Sequence, residues 1–121
     1  SWGAMDHRSR GQFMAEVILP TLETSFREHD AERYKDFSCT TCHGISARDR
    51  NFQMPNPDLL ALYPTGHSEQ KRMVAENRAM ATFMFQRVLP QVRDLLGQPE
   101  FNEQTGEGFS CFSCHPQGQA E

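Results

Sequence analysis

All four cysteines of the 121-residue chain lie in two copies of one pattern, Cys-x-x-Cys-His. Positions i, i+3 and i+4 of a helix share one face, so each copy would present two thiols and an imidazole side by side. Two thiols about one turn apart can each form a thioether with a vinyl group of a porphyrin, and the adjacent imidazole can then ligate the iron. The spacing therefore predicts two covalent haem sites. Their residues are Cys39, Cys42, His43, Cys111, Cys114 and His115.

Three other uses of four cysteines remain open at this point. A four-thiolate zinc site usually separates its two Cys-x-x-Cys pairs by about 15–20 residues, whereas 68 residues lie between Cys42 and Cys111. Two disulfides would suit an exported protein, and a thioredoxin-like redox pair would need a βαβ context that the sequence does not show. Zinc gives no reason for a histidine after both pairs, so covalent haem is favoured.

Both motif regions resemble those of c-type cytochromes. The strings TCHG…NFQMPNP and GEGFSCFSCH are similar to segments of small dihaem cytochromes found in Gram-negative bacteria. The resemblance implies two c-type haems, other redox proteins as partners, and an exported chain in the periplasm or outside the cell. Some such relatives are lipid-anchored, and an anchor of that kind would lie outside this sequence.

The far side of each iron needs a further ligand, for which histidine and methionine are the usual choices. Met14 and Met84 match each other at an offset of 70 residues and fall on an apolar helix face, so they are the preferred pair. A ligand on a helix before the haem motif resembles the order in class II helical cytochromes. Met54 is an alternative, because QMPNP resembles the methionine–proline loop of class I cytochromes c, and His67 and His7 are further alternatives.

The two halves of the chain are related by an internal repeat. FMAEVILP, starting at Phe13, matches FMFQRVLP, starting at Phe83, at an offset of 70, and Cys39 matches Cys111 at an offset of 72. Repetition at this scale indicates tandem structural modules. The predicted modules span 9–50 and 79–117.

Each module is predicted to hold a long helix followed by a short haem-attachment helix. Apolar residues recur every four positions from Met14 to Phe26, which is typical of one helix face. The string SRGQ, from Ser9, fits a capping box that starts the first helix. Pro20 and its equivalent Pro90 lie inside the patterns, and each should kink or shorten its helix.

The rest of the chain reads as loops around these helices. Gln53 to His67 holds three prolines and a glycine and is predicted to be a loop with one helical turn near Asp58 to Leu62. The second long helix should begin at about Ser68 and stop before Gly97. No segment alternates as a strand does, so we predict an all-α fold in a single domain, 1–121, with the C-terminal PQGQAE frayed.

Composition agrees with a chain that relies on a bound group. There are only two isoleucines, four valines and eight leucines, too few for a substantial aliphatic core, but nine phenylalanines and six methionines could pack on haem. The formal net charge is −4, and the ten arginines and two lysines alternate with acids instead of forming a basic stripe, which argues against nucleic acid. REHDAERYKD, from Arg27, is interpreted as a solvated helix face. No apolar run is long enough to span a membrane.

Electron transfer, with no catalytic residue and no enzyme activity, is the function expected of such a protein. One alternative is a subunit of a larger electron-transfer complex. Another is a haem enzyme or gas-binding protein with one open iron site, although the sequence shows no obvious acid–base pair for such chemistry.

Overall fold

The first long helix begins at Asp6 and is interrupted by a wider turn. A computed structural model of the chain describes residues 1–120, so Glu121, the last residue of the predicted domain, lies outside them. The helix consists of α1 (His7–Phe13), a π-helical turn (Met14–Ile18) and α2 (Leu19–His29), which follow one another without a break. Its N-cap is Asp6, whose carboxylate accepts a hydrogen bond from the backbone N–H of Ser9 at 2.8 Å. The capping box predicted at Ser9 is therefore wrong, since Ser9 already lies inside the first turn.

Short helical pieces follow in the middle of the chain. They are α3 (Cys39–His43) and a 3₁₀ turn (Ala47–Arg50). Another 3₁₀ turn, Trp2–Ala4, precedes the first long helix, and a last one, Cys111–Ser113, lies near the C-terminus.

The second long helix has the same interruption as the first. It comprises α4 (Ser68–Glu76), α5 (Arg78–Phe83), a π-helical turn (Met84–Val88) and α6 (Leu89–Leu95), with a break between α4 and α5. The predicted start at Ser68 and the predicted stop before Gly97 are confirmed. The described residues are mostly helical and form no β-strand, which confirms the all-α class.

The π-turns explain how both helices accommodate an internal proline. Each proline lacks the N–H that would continue the helix, and its ring would collide with the carbonyl four residues before it. In the structure the residue before each proline donates its N–H five positions back, from Leu19 to Met14 and from Leu89 to Met84. The wider turn makes room for the ring, so neither helix is shortened at Pro20 or Pro90.

The two long helices pack antiparallel through a small aromatic core. Ser25 donates a hydrogen bond to Gln91 at 2.8 Å, whereas His29, one turn later, stacks on Phe83, which precedes Gln91. The buried cluster consists of Leu22, Phe26, Tyr34, Phe37 and Phe83.

The charged stretch after α2 is only partly a helix face. The helix ends at His29, and residues 31–36 form turns. Tyr34 is buried in the core, and the Arg27 guanidinium donates hydrogen bonds to the carbonyls of Tyr34 and Lys35. The prediction of a wholly solvated helix face is therefore wrong, because Tyr34 folds back onto Phe26 at a ring-centroid distance of 4.9 Å.

The stretch from Gln53 to His67 is a loop, as predicted, but it does not contain the helical turn expected at Asp58 to Leu62. Instead, Leu62 forms a parallel bridge with Gln117. Its N–H donates to Pro116 at 2.9 Å, and its carbonyl accepts from Gly118 at 2.8 Å. The C-terminal stretch predicted to fray is thus fixed as far as residue 118. Within residues 1–120, no helix is both long enough and apolar enough to cross a membrane.

Candidate haem-attachment sites

The first Cys-x-x-Cys-His segment is a single capped helical turn. Ser38 is the N-cap of α3, and its hydroxyl accepts a hydrogen bond from the Thr40 N–H at 3.3 Å. In return, the Ser38 N–H donates to the Thr41 hydroxyl at 3.0 Å. Because α3 spans Cys39–His43, both thiols and the imidazole share one turn, as the spacing predicts.

The second segment is capped in the same way. The Ser110 hydroxyl accepts from the Phe112 N–H at 3.2 Å, and the Ser110 N–H donates to the Ser113 hydroxyl at 3.0 Å. The 3₁₀ turn covers only Cys111–Ser113, so the short haem-attachment helix predicted for this module is not formed over the whole motif. Cys114 and His115 follow the turn, and the His115 N–H donates to the Cys111 carbonyl at 2.9 Å. Sequence reasoning missed these serine caps, although the shared Phe-Ser-Cys was the available signal.

All four thiols are free in the structure, so the disulfide alternative is not adopted. Cys39 is exposed and the other three are partly buried. Burial, with a smaller contribution from Cys39, raises the pKa of Cys42 to about 11. Burial, followed by the proximity of Cys42 and Cys111, raises the pKa of Cys114 to about 12. Both second cysteines are therefore neutral thiols near neutral pH.

The imidazole of His115 is oriented by a backbone carbonyl. Its Nδ1 lies 2.8 Å from the carbonyl oxygen of Leu60. A carbonyl can only accept, so Nδ1 carries the proton and donates it. The Nε2 lone pair is left free, which is the state that a metal-ligating histidine adopts when its other nitrogen is held by an acceptor.

His43 is held neutral by its surroundings. Burial lowers its pKa, the nearby Arg50 guanidinium lowers it further, and the backbone of Phe52 opposes this with a weaker effect. The ring edge packs against Phe52 at a centroid distance of 5.6 Å. Its Nδ1 is buried without a hydrogen-bond partner among the described residues. A neutral imidazole is the form that binds iron.

One buried asparagine connects the two motifs. Asn56 is only 1% exposed, and its side-chain Nδ2 donates to the Cys42 carbonyl at 3.1 Å. Its backbone N–H donates to the Cys114 carbonyl at 2.8 Å. Arg50 adds a hydrogen bond to the His43 carbonyl. Sequence reasoning missed both Asn56 and Arg50, although Pro-Asn-Pro was a visible turn signal for the asparagine.

Apolar surface lies open beside the first motif. A cavity of about 500 Å³ adjoins it. Its lining includes Cys39, Ile45, Ala47, Arg48 and Phe52. Ile45, next to the motif, is 94% exposed, and Leu60, beside the second motif, is also exposed. The chain exposes 8300 Å² in all, compared with about 6,700 Å² expected for a compact monomer of this mass.

The residues present fit covalent haem. Each motif offers two free thiols and one imidazole that is available to a metal, and apolar surface lies next to the first motif. Within residues 1–120, no three side chains of His, Cys, Asp or Glu converge as a zinc site requires. A haem iron does not need such a cluster, because its equatorial ligands come from the porphyrin.

The preferred distal methionines lie at equivalent places but in different surroundings. Met14 and Met84 are both half-buried, and each is the first residue of a π-turn. Met84 packs against the aromatic core, as does Cys42 of the first motif. Met14 is not among the described side chains that pack against that cluster. The structure therefore brings Met84, but not Met14, to the same cluster as Cys42 of the first motif.

The alternative distal ligands lie in three separate places. Met54 is half-buried in the loop that carries Asn56, and His7 is exposed at the start of α1. His67 caps α4, and its Nδ1 accepts the Glu69 N–H at 3.0 Å. An Nδ1 that accepts leaves the proton on Nε2, which is buried without a partner among the described residues. For His67 to ligate iron through Nε2, this cap would have to break.

Comparison of the chain with protein-family models, with curated proteins and with solved structures gave no match.

Proposed function

We propose that this chain is a dihaem c-type cytochrome that passes single electrons between redox partners. The observation that carries the proposal is the state of the two Cys-x-x-Cys-His segments. Each is a serine-capped helical turn with free thiols and an imidazole able to bind a metal. Two such segments at matching places in the chain are difficult to explain by any use other than covalent haem.

The roles of the six motif residues follow from this assignment. The thiols would hold the two haems as thioethers, formed by addition of each S–H across a haem vinyl group, and the imidazoles of His43 and His115 would ligate the iron. The thiols that carry these bonds are Cys39, Cys42, Cys111 and Cys114. When bound, each haem supplies one-electron chemistry between Fe(II) and Fe(III).

The protein's own contribution is to orient ligands and to limit solvent. The Leu60 carbonyl fixes the His115 ring, and burial keeps His43 neutral. Hydrogen bonding to the ligand and burial of the site are two of the factors that set a haem potential. With a net charge of −4, the chain would suit a redox partner that presents a basic patch. Export to the periplasm or beyond the cell belongs to the same proposal, since it rests on the resemblance to c-type cytochromes.

Met14 and Met84 are proposed as the distal ligands. Each opens a π-turn, and π-turns inside α-helices are frequently found at functional sites. Both sequence halves keep the methionine, the π-turn and the proline together, so the wider turn sets the direction of the methionine in each. Met54, His67 and His7 remain the alternatives.

The first test is a haem count by the pyridine haemochrome assay on protein made in a host that matures c-type cytochromes. We expect two haems per chain. Replacing both cysteines of one motif by alanine should leave one haem, and replacing all four should leave none. Replacing Ser9 by alanine is the matched control and should leave both haems, because its side chain takes no part in either motif. A colourless or zinc-loaded wild-type protein would refute the proposal.

The distal ligands are tested by the weak far-red band of methionine–iron ligation in the oxidised protein. Met14→Leu and Met84→Leu should each remove part of that band, whereas Met73→Leu, a half-buried methionine on α4, should not. An unchanged band in both variants would exclude this pair and direct the search to Met54. A high-spin signal that changes when CO is added to the reduced protein would instead indicate an open iron and favour the enzyme or gas-binding alternative.

A second candidate function is a subunit of a larger electron-transfer complex. Large apolar side chains are exposed away from the motifs, among them Phe85 on the second π-turn and Phe101 in the last loop. The haem chemistry would be the same, but neighbouring subunits would cover these side chains. Light scattering on the native protein distinguishes the two, because a free carrier should have the mass of one chain with two haems.

A further inference from the structure

We propose that Asn56 is a positioning residue that holds the two haem-attachment segments as one rigid pair, so that the two haems act as a coupled unit. The inference rests on the proposed function and extends it from two separate haems to a fixed pair. Among the described residues, Asn56 alone donates hydrogen bonds to both motifs. Its side-chain Nδ2 donates to the Cys42 carbonyl, and its backbone N–H donates to the Cys114 carbonyl.

Every polar group of Asn56 has a partner, so its orientation is defined. The side-chain Oδ1 accepts from the Asp58 N–H at 2.9 Å and lies 3.5 Å from the Arg50 guanidinium. The Asp58 N–H can only donate and the Cys42 carbonyl can only accept, which assigns the two ends of the amide. A buried amide that loses one of its hydrogen-bond partners destabilises the fold, so this network resists rearrangement.

The first motif is shaped to admit this side chain. Gly44, immediately after His43, has a φ of +86°, and a Cβ there would lie 2.9 Å from Nδ2 of Asn56. Only glycine suits both the backbone conformation and the close approach. Arg50 donates to the His43 carbonyl as well as to Asn56, so the end of the first motif is held twice by the same network.

The other side of the network reaches the second motif. The Asn56 N–H donates to the Cys114 carbonyl, and three further hydrogen bonds join the same loop to the second motif and the residues after it. Leu60 accepts from His115, and Leu62 exchanges hydrogen bonds with Pro116 and Gly118. The loop therefore supports the second motif along its length, whereas the first motif depends on Asn56 and Arg50. The side-chain amide of Asn56 is the link that fixes one motif relative to the other.

The discriminating variant is Asn56→Asp. Aspartate has the same shape and keeps the acceptor for Asp58 and Arg50, but it has no N–H to donate to the Cys42 carbonyl. The backbone bond to Cys114 is unchanged. Asn102→Asp is the matched control, since it adds the same charge in an exposed loop. The side chain of Asn102 uses only its acceptor oxygen there, for the N–H groups of Gln104 and Thr105, and aspartate keeps that oxygen.

The measurement is circular dichroism in the Soret region, together with the haem count and a potentiometric titration. Two chromophores held close in a fixed arrangement give a bisignate couplet. We expect this couplet in the native protein and in Asn102→Asp, and its loss in Asn56→Asp with two haems retained. The separation between the two midpoint potentials should change in Asn56→Asp alone.

The outcomes separate the inference from the proposed function. A native haem count other than two refutes the function and the pair together. A count of two with no couplet, or a couplet that survives in Asn56→Asp, refutes the inference and leaves the function standing, as does an equal loss in the control. If Asn56→Asp does not retain both haems, the same comparison is made with the conservative variant Asn56→Ser. Loss of the native couplet in Asn56→Ser supports the inference, and a couplet that survives refutes it.

Discussion

Phe26 should be the most costly side chain to remove from the core. It is 3% exposed and packs against Tyr34, Phe37 and Phe83 at centroid distances of 4.9, 4.9 and 5.0 Å. Truncation of a buried Phe to alanine costs about 3–5 kcal/mol. The contacts with Tyr34 and Phe83 are edge-to-face, each of which contributes about 0.5–1.5 kcal/mol beyond area burial.

The helix propensity of alanine partly offsets this loss of stability. Phe26 lies in α2, where alanine has the better helix propensity, by a few tenths of a kcal/mol (about 0.5). The net expectation for Phe26→Ala is a loss of about 3–4 kcal/mol in the free energy of unfolding. Domains of this size are stable by only about 5–15 kcal/mol, so the variant should be close to marginal.

The assay is guanidinium unfolding of the purified protein, followed by far-ultraviolet circular dichroism. A lower midpoint at an unchanged slope reports a loss of stability. Phe85→Ala is the matched control, because Phe85 is 69% exposed and a surface substitution should change stability by less than about 0.5 kcal/mol. If Phe26→Ala costs less than about 1 kcal/mol, or no more than Phe85→Ala, the aromatic cluster is not the core of this fold.

Three further predictions concern backbone, caps and pH. Gly108 has a φ of +104°, and a Cβ there would collide with the backbone opposite it in the loop. Gly106 also has a positive φ, +74°, but the space around it is open. Gly108→Ala should therefore lower the thermal midpoint far more than Gly106→Ala, and equal effects would contradict this. Ser38→Ala and Ser110→Ala should each destabilise the protein by about 1 kcal/mol through loss of a helix cap, and calorimetry that finds no loss in either would refute the role of the caps. In the haem-free chain, where His43 is not bound to iron, burial lowers the pKa of His43 from 6.5 in the fold, so the unfolded chain binds the proton more tightly. The thermal midpoint of that form should be constant above about pH 7 and fall as the pH drops below about 6.5, and a midpoint that stays constant through that range would count against this linkage.

Local patterns in the sequence were enough to predict the two long helices. The four-residue apolar spacing from Met14 to Phe26 predicts a helix, and the structure has one, because a helix is fixed by residues within a turn or two of each other. The start of the second helix at Ser68 was predictable for the same reason. The boundary at Asp6 was missed, although aspartate is a good N-cap, because Ser9 offered a competing local signal.

Contacts between distant residues were not predictable from those patterns. Tyr34 sits in a charged stretch, yet it is buried because Phe26 and Phe37 are brought beside it. The last residues looked frayed, yet Gly118 is held by Leu62. Gly118 and Leu62 lie far apart along the chain. Tyr34 meets Phe26 only because the chain turns back after the end of α2.

The two Cys-x-x-Cys-His patterns were enough to predict which thiols and imidazoles could attach haem, because residue type and spacing within one helical turn are local properties. Only the tertiary structure decided how the two patterns are related. A buried asparagine between two prolines joins Cys42 to Cys114 across 72 residues of chain. That link requires the loop, both motifs and Gly44 to meet at one point, and such a meeting is set by the packing of the whole chain.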